Sequence, residues 1–422
     1  MKIVFLNTSE DKGGAAIAAN RLMKTLKRYN VKVKTIVRDK QSDDPDVISV
    51  NTYFGATKIN HIRFLWERLS IFLQNKFCKE NLFAVSIANT GTDISRHPEI
   101  KDADIIHIHW INQGFLSISD INKLLRTNKP IVWTMHDMWP CTGICHHARE
   151  CTNFTKECGN CFFLDSKRKN DLSKKIFLKK KKFFFSNCNI TFVGCSSWLA
   201  NKAKISNLSK NNQIFSIPNP IDTTFYDISD KNLSRKQLNL PEDKKLILFG
   251  AANISDRRKG IYYLIDAIKI IKEQNTSLGE QLCLVAFGKA KEDFKNLINI
   301  PVYSMGYLTD SKKIVSLYNA VDLFITPSLE ENLPNTIMES MACGTPCVGF
   351  DIGGIPEMID HKQNGYVVKY KDAEDLSTGI DWVLNKANYK DLSISARQKV
   401  VNNYSEDIVA NQYLKIYNSL LY

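Results

Sequence analysis

Two carboxylates, Glu331 and Glu339, stand eight positions apart around what reads as the mouth of a helix. Asp322–Thr326 is a short apolar strand, and Asn332 followed by Pro334 predicts a cap and first turn. Ile337, Met338 and Met341 give that helix an inward face, Gly344 supplies a left-handed stop, and Pro346 opens the next strand, Cys347–Phe350. On this reading Glu339 lies about 12 Å beyond Glu331 along the axis, at 1.5 Å per residue. A helix N-terminus attracts phosphate through its amide groups and macrodipole. Carboxylates at either end can accept hydrogen bonds from hydroxyl groups flanking that phosphate. A nucleotide sugar, with ribose, diphosphate and hexose in line, has that layout.

Other residues with chemical potential are spread along the chain. Gly13-Gly14 sits in the turn between the first strand and the helix predicted at Ala15–Tyr29, where glycines let backbone approach a ligand. His136, in Trp133-Thr-Met-His-Asp137, follows an apolar strand and should emerge at its C-terminal end; the bland alternative is a scaffold histidine bonded by Asp137. His107 and His109 alternate with isoleucines on the preceding strand and read as structural, with Trp110 and Asn112 as candidate lining of an acceptor pocket. Ser255-Asp-Arg257-Arg258-Lys259-Gly260 places cations at a strand end, where they can neutralise a diphosphate leaving group.

Cys145, Cys151, Cys158 and Cys161 form a loop cluster that can build a four-thiolate structural zinc site, with Cys141, His146 and His147 as competing ligands and free thiols or a reversible disulfide as the alternatives. Cys78, Cys188, Cys195, Cys283, Cys343 and Cys347 read as small core residues. The charge run at 167–185 includes Lys174, Lys175 and Lys179 to Lys182 among Ile176, Phe177 and Leu178. It is either a solvated helix face or an amphipathic helix lying on anionic lipid.

The stretch from Glu331 to Pro346, with Gly353-Gly-Ile-Pro-Glu357 and Asn364-Gly365 downstream, resembles the family 4 retaining glycosyltransferases of the GT-B fold (glycosyl transferases group 1), whose signature is E-x7-E followed by Gly-Thr-Pro and Gly-Gly-x-Pro-Glu segments. Further matches extend from residue 1 to about 400. The resemblance implies two Rossmann-like domains facing across a central cleft, with the last helix crossing back onto the first. It implies transfer of a sugar from a UDP- or GDP-type nucleotide sugar to a saccharide or lipid-linked acceptor, as in bacterial polysaccharide or glycolipid biosynthesis. His136 and Glu331 would then position the sugar. Gly14, Arg257, Arg258, Lys259, Asn332, Leu333 and Asn335 would hold the donor, with Glu339 on the ribose. The family's usual arginine would fall at Asn253 or Ile254, so Arg257 or Arg258 would have to substitute. No catalytic metal is expected, because no D-x-D-type signal stands in the right context. The alternatives are a nucleotide-sugar epimerase on the same architecture and a basic, zinc-containing nucleic-acid binder; no helix-turn-helix, aromatic RNA platform or standard zinc finger favours the latter.

These residues need elements to hold them. At 422 residues the chain exceeds one typical core. Strands are expected at Lys2–Leu6, Val31–Val37, Ile105–His109, Ile131–Met135, Ile190–Val193 and Ile214–Ile217, then at Leu246–Gly250, Leu282–Phe287, Val302–Met305, Leu323–Thr326, Cys347–Phe350 and Tyr366–Val368. Strands alternating with helices predict two parallel α/β sheets. The expected divisions are 1–220, carrying the Cys-rich loop 141–161, then 221–404, then a helix at 405–422. No apolar run reaches the roughly 20 residues of a membrane span, and the N-terminus reads as a strand, so a cytoplasmic protein is expected. The net charge of +13 favours polyphosphate or anionic-lipid partners.

Overall fold

The computed structural model describes residues 1–50, 56–165, 168–184, 190–289 and 297–421. The chain divides into two compact units, Met1–Asn219 with Val409–Tyr422, and Pro220–Ile408. In the first, seven strands pair in parallel: β1 (Lys2–Ser9), β2 (Lys32–Asp39), β3 (Val47–Ser49), β4 (Ile105–Ile108), β5 (Ile131–Met135), β6 (Ile190–Gly194) and β7 (Gln213–Ser216), in the order β3-β2-β1-β4-β5-β6-β7. In the second, six do so: β8 (Lys245–Asn253), β9 (Leu282–Lys289), β10 (Val302–Gly306), β11 (Leu323–Thr326), β12 (Cys347–Phe350) and β13 (Gly365–Val368), in the order β10-β9-β8-β11-β12-β13. β4, β5, β11 and β12 are buried along their whole length, as expected of parallel strands covered by helices on both faces.

Each sheet grows outward in both directions from its first strand. The strand order therefore reverses between β1 and β4 in one unit and between β8 and β11 in the other, and such a switch point opens a crevice at the C-terminal strand ends. Loop 10–13, His109 and His136 follow β1, β4 and β5; the Lys259 and Glu331 loops follow β8 and β11.

The helix Glu406–Leu421 closes the first unit. Its Val409, Ala410, Tyr413, Ile416 and Tyr417 pack against Ile3, Phe5, Leu22 and Ile105. The hydroxyl of Tyr417 meets His107 Nδ1 at 2.7 Å, and that of Tyr413 meets Thr134 at 2.8 Å.

Two expectations need correction. The helix after β11 begins at Asn335 with Pro334 in the cap position, so residues 331–334 are not helical and the 12 Å axial spacing does not apply. The basic helix Leu172–Phe184 is not a uniform charged face: Lys180 is fully buried, as is Phe177, and Ile176 is nearly so. The Lys180 ammonium donates to the carbonyls of Trp139 (2.7 Å) and Thr142 (3.1 Å) and sits 3.4 Å from the Trp139 ring centre. Burial pulls its pKa down to about 7. Lys167 and Phe185 of that stretch, and Cys188, lie outside the described residues. No helix among the described residues is long and apolar enough to cross a membrane.

Candidate active site

In the second unit three loops are sewn together at the switch point. Gly260 ends the short turn Arg257–Lys259 with φ +71°, and a Cβ there would lie 1.7 Å from the Pro327 carbonyl oxygen. Only glycine fits that left-handed close approach. The Arg258 carbonyl accepts from Leu329 N–H at 2.7 Å, and the Asn332 carbonyl from Gly354 N–H at 2.6 Å. Gly353, at φ +61°, would place a Cβ 2.0 Å from the Glu331 carbonyl oxygen. The glycines that looked like motif punctuation are what allow these backbones to touch.

That weave brings the charged groups together. The Lys259 ammonium pairs with the Glu331 carboxylate, both partly exposed. Arg258 forms an ion pair with Asp256 at 2.6 Å, and Asp256, then Glu330 and Glu331, hold its pKa above the ordinary value. Arg258 is thus the arginine shown to feel the Glu331 loop; Arg257 is exposed on the same turn. Asn332 and Leu333 are buried behind the loop. The helix Asn335–Ala342 has Pro334 in its cap position, which offers no side-chain acceptor to the helix N-terminus. Glu339, in the second turn of that helix, is buried and accepts from the Tyr318 hydroxyl at 3.2 Å. Burial and that carboxylate push the Tyr318 pKa well up.

In the first unit Gly13, rather than Gly14, takes the special conformation: φ is +93° and nothing lies within 4 Å of where its Cβ would be. Gly14 is the first residue of the helix Gly14–Arg28. His136 hydrogen-bonds His109 (Nε2 to Nδ1, 3.1 Å), and the rings of His107, His109 and His136 stack in series. Burial pushes the His136 pKa down to about 4, opposed by Asp137, so the ring is neutral at pH 7. Asp137 itself pairs with His146 (2.6 Å) and accepts from the Trp110 indole and the Trp139 amide, both at 2.8 Å. Burial alone would raise its carboxyl, but the His146 charge and these hydrogen bonds hold it at about 2. Asn112 is buried and Trp110 half-buried. Sequence reasoning passed over His109, Tyr318 and Asp256 as partners; the i, i+2 spacing of His107 and His109, which puts both on one sheet face, was the available signal.

Cys145, Cys151, Cys158 and Cys161 all line one cavity of about 20 Å³ with Phe154 and Phe162. Burial pushes the thiols of Cys158 and Cys161 up to about 12 and about 11, and that of Cys145 well above its ordinary value. Among the described residues no group of three or more His, Cys, Asp or Glu side chains is disposed to hold a metal ion.

Residues 230–400, which span the whole Lys259–Glu331–Glu339 constellation, match the family model described as Glycosyl transferases group 1. The similarity to this family is thus carried by the second unit. A glycosyltransferase of Methanocaldococcus jannaschii is 25% identical over 360 residues, covering 79% of this chain and 89% of the relative. The N,N'-diacetylbacillosaminyl-diphospho-undecaprenol alpha-1,3-N-acetylgalactosaminyltransferase of Campylobacter jejuni is 29% identical over 195 residues, 45% of this chain and 49% of that enzyme. Anabaena Alr3699/HepE, solved with UDP-glucose, superposes with a TM-score of 0.64 at 15% identity, covering 99% of this chain and 100% of that one. The chain therefore shares the two-domain fold, and the epimerase alternative finds no support in these matches.

Proposed function

We propose that the chain is a retaining glycosyltransferase that moves a sugar from a nucleoside-diphosphate sugar to a saccharide or lipid-linked acceptor in polysaccharide or glycolipid biosynthesis. The observation that carries this reading is the Lys259–Glu331 pair on the loop that leads into the helix Asn335–Ala342, which also holds the buried Glu339. The diphosphate would lie over the Leu333 to Asn335 amides, where Lys259 and Arg258 supply fixed positive charge to the leaving group. Glu339 would take the ribose hydroxyls. Glu331, released from Lys259 as that ammonium turns to phosphate, would orient the sugar. The acceptor would attack from the leaving-group face, with a phosphate oxygen receiving its proton. The solved UDP-glucose complex of HepE and the undecaprenol-linked acceptor named for the Campylobacter enzyme support a UDP-type donor and a lipid-linked acceptor.

A donor-hydrolysis panel over UDP- and GDP-sugars tests the reading. One nucleotide sugar should be hydrolysed slowly without acceptor, and Glu339→Gln should raise its KM. Hydrolysis should also persist through a short EDTA incubation. A panel with no hydrolysis of any nucleotide sugar, and no binding of any by calorimetry, would remove the proposal.

A further inference from the structure

Tyr318 lies in the last turn of the helix Ser311–Ala320 and is only 1% exposed. Its ring meets Phe287 of β9 and Phe324 of β11 edge to face, with centroids 6.3 Å and 5.9 Å apart. Its carbonyl accepts from the Thr345 hydroxyl at 2.7 Å. Ring and backbone are both held, so the hydroxyl has one direction, and there it donates to Glu339 Oε2 at 3.2 Å. A phenylalanine would fill the same aromatic packing without burying a polar atom, which is costly unless hydrogen-bonded. Packing therefore does not account for the hydroxyl.

Glu339 does. Its carboxylate is buried on the helix Asn335–Ala342, flanked in sequence by the buried Ile337, Met338, Ser340 and Met341. An ionised carboxylate only accepts hydrogen bonds, and its terminal torsion is broad, so the directions in which it accepts are not set by its own chain. The bond from Tyr318 to one oxygen sets them. Burial and the neighbouring carboxylate hold the phenol pKa well above its ordinary value, so Tyr318 remains a donor throughout the physiological range.

We propose that Tyr318 is a positioning residue for the donor ribose, holding the Glu339 carboxylate so that it selects a ribonucleotide over one that lacks the ribose hydroxyls. The inference rests on the glycosyl-transfer reading, in which Glu339 takes those hydroxyls. A ligand without them leaves a buried acceptor unpaired, which is how a site built around hydrogen bonds rejects a deoxy analogue. A carboxylate already oriented also loses less side-chain freedom when the nucleotide binds.

The test is calorimetry of the full chain with UDP, GDP and the 2′,3′-dideoxy analogue of each. Wild type should bind one of the two ribonucleotides, and its dideoxy analogue at least about tenfold more weakly. Tyr318→Phe should raise the Kd for the ribonucleotide about tenfold and that for the dideoxy analogue by less than about twofold. The double variant Tyr318→Phe/Glu339→Gln leaves no carboxylate beside the new ring, so it keeps the comparison available if the single variant melts early. It should bind the ribonucleotide as Glu339→Gln alone does. Four results would overturn the proposal: equal wild-type affinity for the two forms, an unchanged ribonucleotide Kd in folded Tyr318→Phe, equal losses for ribonucleotide and analogue, or a double variant weaker than Glu339→Gln. Each of these leaves the glycosyl-transfer reading standing, whereas wild type that binds neither UDP nor GDP would remove both.

Discussion

Glu331 and Glu339 differ in what they hold before any donor arrives, and their variants should differ accordingly. Glu331 is tied to Lys259 at a partly open site, whereas Glu339 is buried with the Tyr318 hydroxyl. Glu331→Ala should chiefly lower kcat, since it removes a group that orients the reacting sugar. Glu339→Gln keeps an acceptor for Tyr318 and should chiefly raise donor KM. Steady-state kinetics under saturating acceptor separate the two, and near wild-type constants for both would dismantle the site. Lys259→Ala should cost about 2–4 kcal/mol in kcat/KM, the range for losing one key electrostatic donor. In the first unit, Tyr417→Phe leaves His107 Nδ1 without its partner in a fully buried pocket. It should cost about 1–3 kcal/mol of stability by denaturant titration.

At the level of elements, the loop after β8 depends on the loop after β11 through one atom pair. Gly260→Ala forces a methyl group against the Pro327 carbonyl and asks a residue with a side chain to hold φ +71°. The conformational part alone costs about 1–2 kcal/mol, and the clash must push Lys259 away from Glu331. A fall in melting temperature together with a rise in donor KM is expected; a fall in melting temperature with unchanged donor KM would uncouple the two loops. Most strands here were legible because fully covered parallel strands are short unbroken apolar runs, as in Leu323–Thr326 and Cys347–Phe350. β3 was not, having only Val47, Ile48 and Ser49 to announce it. The helix start after Glu331 was misplaced because Asn332 has the right residue type for a cap, while tertiary hydrogen bonding to Gly354 draws its backbone into the loop weave instead. Lys180 was misjudged for a related reason: charge in a run says nothing about which member finds two buried carbonyls.

Across the whole molecule, the protonation of buried histidines sets an acid limit. His107, His109 and His136 are buried, and burial lowers all three pKa values, that of His136 to about 4. Below the ordinary value of 6.5 the unfolded chain takes up these protons and the folded chain does not. Stability should thus be full above about pH 6.5 and fall as the pH drops towards 4. Thermal melts across that window check it, and a melting temperature that stays flat from pH 7 to 4.5 would contradict the neutral triad. The E-x7-E spacing and glycine segments pointed to the loops of the second unit that the structure weaves together, and the family match to 230–400 falls on the same stretch. The histidine stack of the first unit was less readable, because its members come from two strands whose pairing no local pattern reveals.

The packing of Val409 to Tyr417 on β1 and β4 also has a consequence for the order of events on the ribosome. The first 219 residues emerge well before the helix that completes their core, with all of Pro220–Ile408 synthesised in between. A nascent first unit must therefore wait with Phe5, Ile105 and His107 uncovered while the second folds. Chains released after residue 405 should show a protease-resistant second unit and a protease-sensitive first one, whereas full-length chains resist cleavage in both. Equal resistance of the first unit in the two would mean that its core is complete without the last helix.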